Sequence, residues 1–273
     1  MKVVLITGCS SGIGLALAKE FLKYPNQYIV FVTARKPSDL SSLQQLGLYP
    51  IKLDVTSLSD ISAALQTILT TSATLLKLPY GRIDILINNA GIAFTGPLID
   101  QPFDEIEQIF KTNVLGPISL TQQIAPLMIS QRSGLIINVS SLLSLLPTPF
   151  YGIYSASKAA LNNFSEQLRR ELKPFNINVV TLMTGAVDSR TILNNPDITR
   201  YQNSVYYNSV IDYYQKSINR ASMSVDQFAS ILVSDIIQNR LTPVYYLGKY
   251  TFIYRLLSFC PRWLTDLILP IRL

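Results

Sequence analysis

The chain has 273 residues, 48% of them hydrophobic and 15% charged: enough apolar content to bury a sizeable core, and too little charge for a disordered chain. Its formal net charge is +6, from 23 basic and 17 acidic residues scattered without a dense run, so nucleic acid is not an expected partner. There is no histidine, which excludes Ser-His-Asp and Cys-His catalysis and histidine-ligated zinc or haem; no metal site is expected, and proton chemistry falls to Tyr, Lys, Asp or Glu.

Short β-branched stretches alternate with helical ones. Residues 3–6 read as a strand, and 12–24 as a helix with Ile13, Leu17, Phe21 and Leu22 on one side. Strands follow at 28–33, 49–54 and 83–88, with a helix at Leu58–Leu76 before the last of these. Residues 103–130 read as one long helix that Pro117 and Pro126 should kink or break. A fifth strand at 135–140 precedes a helix at 153–173, which ends before Pro174. A sixth strand at 177–182, a helix at 225–238 and a seventh strand at 244–246 complete the pattern. This α/β alternation implies a mostly parallel sheet covered on both faces. Two pieces are surplus to it, residues 189–223 and the tail from 249 to 273.

Two membrane signals fail on inspection. The apolar start MKVVLITG ends at Thr7, too short for a signal peptide. Residues 133–157 carry no charge, but Gly134, Pro147, Pro149 and Gly152 interrupt them. Cys9 and Cys260 form no CxxC and no metal spacing, consistent with a reducing, cytoplasmic compartment.

TGCSSGIG (7–14) lies directly after a strand and opens a helix. Small residues there let the backbone approach a pyrophosphate, and the helix N-terminus supplies amide donors. Gly8, Gly12 and Gly14 are the close-approach positions. FVTARKP (31–37) puts Thr33 and Ala34 where an NAD-specific site needs a carboxylate, and Arg35 and Lys36 follow. Either these two are solvated charges, or they receive a ribose 2′-phosphate; the missing carboxylate favours NADP(H) over NAD(H).

Four more motifs join the first in order: NNAG (88–91), KTNVLG (111–116), NVSS (138–141) and YSASK (154–158). Together they resemble the short-chain dehydrogenase/reductase family over nearly the whole chain. The resemblance implies a single Rossmann-type, doubly wound α/β/α domain of about seven strands, with a substrate lid at about 189–223. It maps a catalytic tetrad onto Asn113, Ser141, Tyr154 and Lys158. It places the cofactor against Gly8, Ser10, Ser11, Gly12, Ile13 and Gly14, with Ser11 helping to hold the 2′-phosphate. It adds Asp54 and Val55 on the adenine side, and Asn88, Ala90 and Gly91 as the wall beneath. Tyr154 and Lys158 would also contact the cofactor, as would Gly185, Val187 and Ser189. Where the family usually has Pro-Gly after the sixth strand, this chain has Thr184-Gly185. That variant and the tail are similar to fungal 1-acyldihydroxyacetone-phosphate reductases and their 17β-hydroxysteroid and retinol dehydrogenase relatives. The implied activity is hydride transfer between NADP(H) and a hydrophobic ketone, aldehyde or secondary alcohol of steroid, retinoid or lipid type. The family also commonly forms homodimers or homotetramers. A non-enzymatic NADP-binding module of the same fold is the alternative.

Tyr154 and Lys158 are four apart on a helix and share a face. A nearby ammonium should favour the phenolate, Ser141 should hold the reacting oxygen, and Asn113 should hold a water. Tyr245 and Lys249 have the same spacing but no serine thirteen residues earlier, as Tyr154 has in Ser141; Ser140 and Ser144 are rivals to Ser141. The lid carries Tyr201, Tyr206, Tyr207, Tyr213 and Tyr214, either to close over an apolar substrate or to pack the lid down. The tail has Lys249, Arg255, Arg262 and Arg272 against Asp266 alone, among Tyr250, Phe252, Tyr254 and Trp263. It could lie on a membrane surface, or pack over the cleft or a subunit interface.

Overall fold

The structure is a computed structural model and describes residues 1–189 and 198–268. Residues 190–197 of the expected lid, and 269–273 of the expected tail with Arg272, lie outside the described residues.

The first half runs β1 (Lys2–Ile6), α1 (Gly12–Phe21), β2 (Tyr28–Ala34), α2 (Pro37–Gln45), β3 (Tyr49–Lys52), α3 (Leu58–Leu76), β4 (Ile85–Asn88), α4 (Phe103–Phe110) and α5 (Gly116–Gln131). The second runs β5 (Gly134–Ser141), α6 (Gly152–Leu172), β6 (Ile177–Thr184), α7 (Tyr207–Ile218), α8 (Val225–Ile237), β7 (Val244–Leu247), α9 (Thr251–Leu257) and α10 (Arg262–Ile268). The seven strands form one parallel sheet in the order β3-β2-β1-β4-β5-β6-β7. This is a Rossmann-type sheet, and its order reverses between β1 and β4. Ligands of such sheets bind at that reversal, beyond the C-terminal strand ends.

Alternation along the strands builds both faces. Val4 and Ile6 turn to one side with Leu17 and Phe21 of α1 and Phe228, Leu232 and Val233 of α8. Val3 and Leu5 turn to the other with Ile61, Leu65 and Ile68 of α3 and Leu120, Ile124 and Met128 of α5. Every residue of β2 is buried, as expected for a strand covered on both faces.

The helix expected over 103–130 does break, but not at a proline. A π-helical turn, Lys111–Leu115, separates α4 from α5, with the Gly116 N–H bonded to the Lys111 carbonyl. Pro117 then sits in the first turn of α5, where its missing N–H is tolerated. Pro126 stays inside α5, held by the buried side chains around it. The wider turn faces Asn113 inward, where it is fully buried.

The tyrosines expected in a lid mostly pack into one cluster. Tyr201 is buried with Phe150 and Val210, and Tyr206, Tyr207 and Tyr213 pack against the same cluster. Arg200, beside Tyr201, forms an ion pair with Glu105 of α4. Most of this aromatic content therefore packs the segment in place, and of the five tyrosines only Tyr213 also reaches the cleft. The tail divides in two. Tyr254 is buried against Leu142, Leu146 and Met183, whereas Phe252, Phe259, Trp263 and Leu267 are exposed. Among the described residues no helix is long and apolar enough to cross a membrane.

Candidate active site

A cleft of about 570 Å³ opens over the C-terminal ends of the strands. Its floor at one end is the turn between β1 and α1. Gly12 has φ +60°, and a Cβ there would lie 2.7 Å from the Ser189 carbonyl oxygen. Gly14 lies beneath the turn and does not line the cleft; a Cβ on it would overlap the Gly8 carbonyl and lie 2.5 Å from Asn89 Nδ2. Asn89, missed in the sequence, holds this loop: its Nδ2 donates to the carbonyls of Thr7 (2.8 Å) and Gly8 (3.0 Å). The Thr7 hydroxyl accepts from the backbone N–H groups of Asn89 and Ala90, each at 3.0 Å. The buried Cys9 thiol is pushed up to about 12 by desolvation and is inert at neutral pH.

Gly8, Ser10, Ser11, Gly12 and Ile13 line this end, with Arg35, Asp54 and Val55 opposite. Burial tends to raise the Asp54 carboxyl, and Thr56 opposes it, donating from its N–H (2.9 Å) and hydroxyl (2.7 Å). With the charges of Arg35 and Lys52 added, Asp54 is held below its ordinary value. Three motif residues depart from expectation. Lys36 is exposed at the start of α2 and outside the cleft, because the chain has already turned away into the helix. Asn88, expected in the wall, turns its amide into the core, where Nδ2 donates to Asn138 Oδ1 (2.7 Å) and Thr121 Oγ1 (3.3 Å). Asn113 has both amide donors taken, by the Ile92 carbonyl (2.9 Å) and Ser157 Oγ (3.1 Å), and its Oδ1 accepts from the Ile92 N–H at 2.9 Å. Its side chain thus braces the Gly91–Ile92 wall.

In the middle of the cleft, Ser141, Tyr154 and Lys158 come together. Ser141 ends β5, and α6 begins eleven residues later, so the phenol of Tyr154 meets the Ser141 hydroxyl. The rival serines are otherwise committed: Ser140 Oγ donates to Asn162 Oδ1, and Ser144 Oγ accepts from Asn162 Nδ2 (2.7 Å) and donates to the Ser141 carbonyl. Lys158 is buried; its Nζ donates to the Val139 carbonyl (2.7 Å) and lies 5.8 Å from the Tyr154 ring centroid. Desolvation lowers the Lys158 ammonium to about 8. Desolvation also raises the Tyr154 phenol to about 12, with the nearby Ser141 hydroxyl pulling the other way. The expected lowering of Tyr154 by the lysine is therefore not seen in the chain alone, because burial dominates.

Gly185, Val187 and Ser189 line the cleft beyond β6. The Thr184 hydroxyl, in place of the family's usual proline, donates to the Ser140 carbonyl at 2.6 Å and ties β6 to β5 beside Ser141. Val187 pairs with Met223 and Ala186 with Lys249, so the end of the lid and the start of the tail are both sewn to this loop.

The donor set fits a dinucleotide: a glycine cradle with no room for a Cβ, a helix N-terminus, and polar and basic side chains along one continuous cleft. Comparison with known proteins agrees. The model of the short chain dehydrogenase family matches residues 2–197. The chain belongs to that family. It is 39% identical over 271 residues to the short-chain dehydrogenase ptmH of Penicillium ochrochloron, covering 98% of this chain and 96% of that protein. It is 32% identical over 276 residues to an NADPH-dependent 1-acyldihydroxyacetone phosphate reductase of Saccharomyces cerevisiae, covering 97% and 89% of the two chains. A crystal structure of a short-chain dehydrogenase from Streptomyces avermitilis superposes with a TM-score of 0.74 at 28% identity, covering 93% and 90%.

Proposed function

We propose that the chain is an NADP(H)-dependent oxidoreductase acting on a hydrophobic ketone, aldehyde or secondary alcohol of steroid, retinoid or lipid type. The observation that carries this reading is the meeting of Tyr154, Ser141 and Lys158 halfway along a glycine-cradled cleft. The bound dinucleotide supplies or accepts the hydride. Tyr154 gives its proton to the substrate oxygen in reduction and takes one in oxidation. Ser141 hydrogen-bonds that oxygen, while Asn162 occupies its neighbours Ser140 and Ser144. Lys158, still mostly protonated near neutral pH, stabilises the phenolate as the proton leaves. Asn113 acts as a positioning residue through Ile92. Arg35 is available to a 2′-phosphate, the residues before it, Thr33 and Ala34, carry no carboxylate for a ribose hydroxyl, and the Saccharomyces relative is NADPH-dependent by name.

The test is a panel of hydrophobic ketones and aldehydes offered with NADPH and with NADH. NADPH oxidation with at least one of them, faster than with NADH, is expected. Tight NADPH binding with no turnover of any would overturn the reading in favour of a non-enzymatic module.

The outer face of the tail suggests a place of work. We propose that it rests on an anionic lipid surface, since exposed Phe252, Phe259, Trp263 and Leu267 lie among exposed Arg255 and Arg262. Full-length protein should float with phosphatidylserine vesicles, and less so with Phe252, Phe259 and Trp263 changed to serine. Equal recovery away from vesicles would reject the contact.

A further inference from the structure

Beyond Ser141 the cleft is lined by tyrosines around one guanidinium. Tyr151, Tyr213, Tyr250 and Tyr254 all reach it, with Arg220 from the segment after α7. The Arg220 guanidinium stacks 4.1 Å from the Tyr250 ring centroid and 5.3 Å from that of Tyr254, and donates to the Tyr254 hydroxyl at 3.2 Å. Lys216, also on the wall, is paired with Asp212. Arg220 has no carboxylate within ion-pair reach among the described residues.

A guanidinium oriented by two aromatic rings has lost most of its freedom before any ligand arrives. It has five N–H donors, and the tyrosine hydroxyls leave several of them for an incoming group. An exposed cation facing a cleft, with neutral partners only among the described residues, is a receptor for a planar or tetrahedral anion. The wall around it adds hydroxyls: Tyr151 hydrogen-bonds Ser217 at 3.4 Å, and Tyr213 and Thr148 also line it. A purely apolar substrate would leave this array unanswered.

We propose that Arg220, held between Tyr250 and Tyr254, receives an anionic group, a carboxylate or a phosphate, carried by the carbonyl substrate. The substrate is then amphiphilic, with an apolar body and a charged end. This deepens the oxidoreductase reading and rests on it for the identity of the cleft. A phosphate of the nucleotide is the other source of the same chemistry, and the test separates the two.

The probes are a medium-chain ω-oxo fatty acid and its methyl ester, measured by turnover with NADPH and by calorimetric titration into protein loaded with NADP+. Arg220→Gln should raise KM for the acid by about tenfold and leave kcat and the ester within about twofold. Arg220→Lys should recover part of the loss, since it restores charge without the fork. NADPH affinity should be unchanged in both variants. An equal effect on acid and ester overturns the proposal, as does a tenfold loss of NADPH affinity with the acid-to-ester ratio unchanged. If neither probe is reduced but wild-type protein binds the acid over the ester, and Arg220→Gln abolishes that preference, the anion site stands, and the oxidoreductase reading is decided separately by the ketone and aldehyde panel.

Discussion

The two ends of the cleft are built by different means. At the nucleotide end the shape comes from backbone: a glycine turn pressed against Ala90 and Ser189 and laced by Asn89, with few side chains projecting. At the substrate end it comes from long side chains supplied by separate segments, namely Tyr151 of the β5–α6 loop, Tyr213 of α7, Arg220 after it and Tyr254 of α9. A backbone site is defined by what cannot be added to it, and a side-chain site by what cannot be removed.

That contrast can be broken by substitution. At the reacting centre removal should hurt most: Ser141→Ala is expected to lower kcat by about 10²–10³ with NADPH affinity kept, as read by steady-state kinetics and fluorescence titration. At the nucleotide end addition should hurt next. Gly14→Ala places a methyl against the Gly8 carbonyl and Asn89, at a cost of about 1–3 kcal/mol in stability and a larger loss of NADPH affinity than any single side-chain truncation there. Arg35→Ala should weaken NADPH by about tenfold and leave NADH nearly unchanged. If Arg35→Ala proves more damaging to NADPH binding than Gly14→Ala, the backbone account of that end is wrong.

The smallest expected effect is in pH. Burial holds Lys158 at about 8 against an ordinary 10.5, so within that window the unfolded chain keeps a proton that the folded chain has shed. Stability from this group therefore rises with pH above about 8 and is lost as pH falls through it. Cys9 and Tyr154, both raised by desolvation, act in the opposite direction at higher pH. The difference between wild type and Lys158→Met isolates the lysine: between about pH 8 and about pH 9 the unfolding free energy of cofactor-free wild type should rise by about 1 kcal/mol relative to that of the variant.

The same contrast governs what was legible in the sequence. A glycine that must be glycine leaves a mark, so the turn at 7–14 could be read, and so could the strand and helix periods that place it. Spacing chose between the two Tyr-x-x-x-Lys pairs, and the structure supplies the reason: Tyr245 is in a strand and donates to Asp235, while the Lys249 backbone pairs with Ala186. Within α6 the same interval brings the Lys158 ammonium under the Tyr154 ring. Asn89, Asn162 and Arg220 left no such mark, because each acts on a partner far along the chain. Asn88 misled because a residue in a recognised motif can serve the core behind the site, here through Asn138 and Thr121. The π-turn at Lys111–Leu115 left no mark either: a proline signals a break, and both prolines here lie past the turn, inside α5.

The central claim is that Tyr154 moves the proton. Its most direct test is Tyr154→Phe in a single turnover with NADPH and a ketone that the wild type reduces. The phenyl ring fills the same space, so NADPH should bind within about twofold of wild type while hydride transfer slows by about 10²–10⁴. Hydride transfer at the wild-type rate in that variant would contradict the claim.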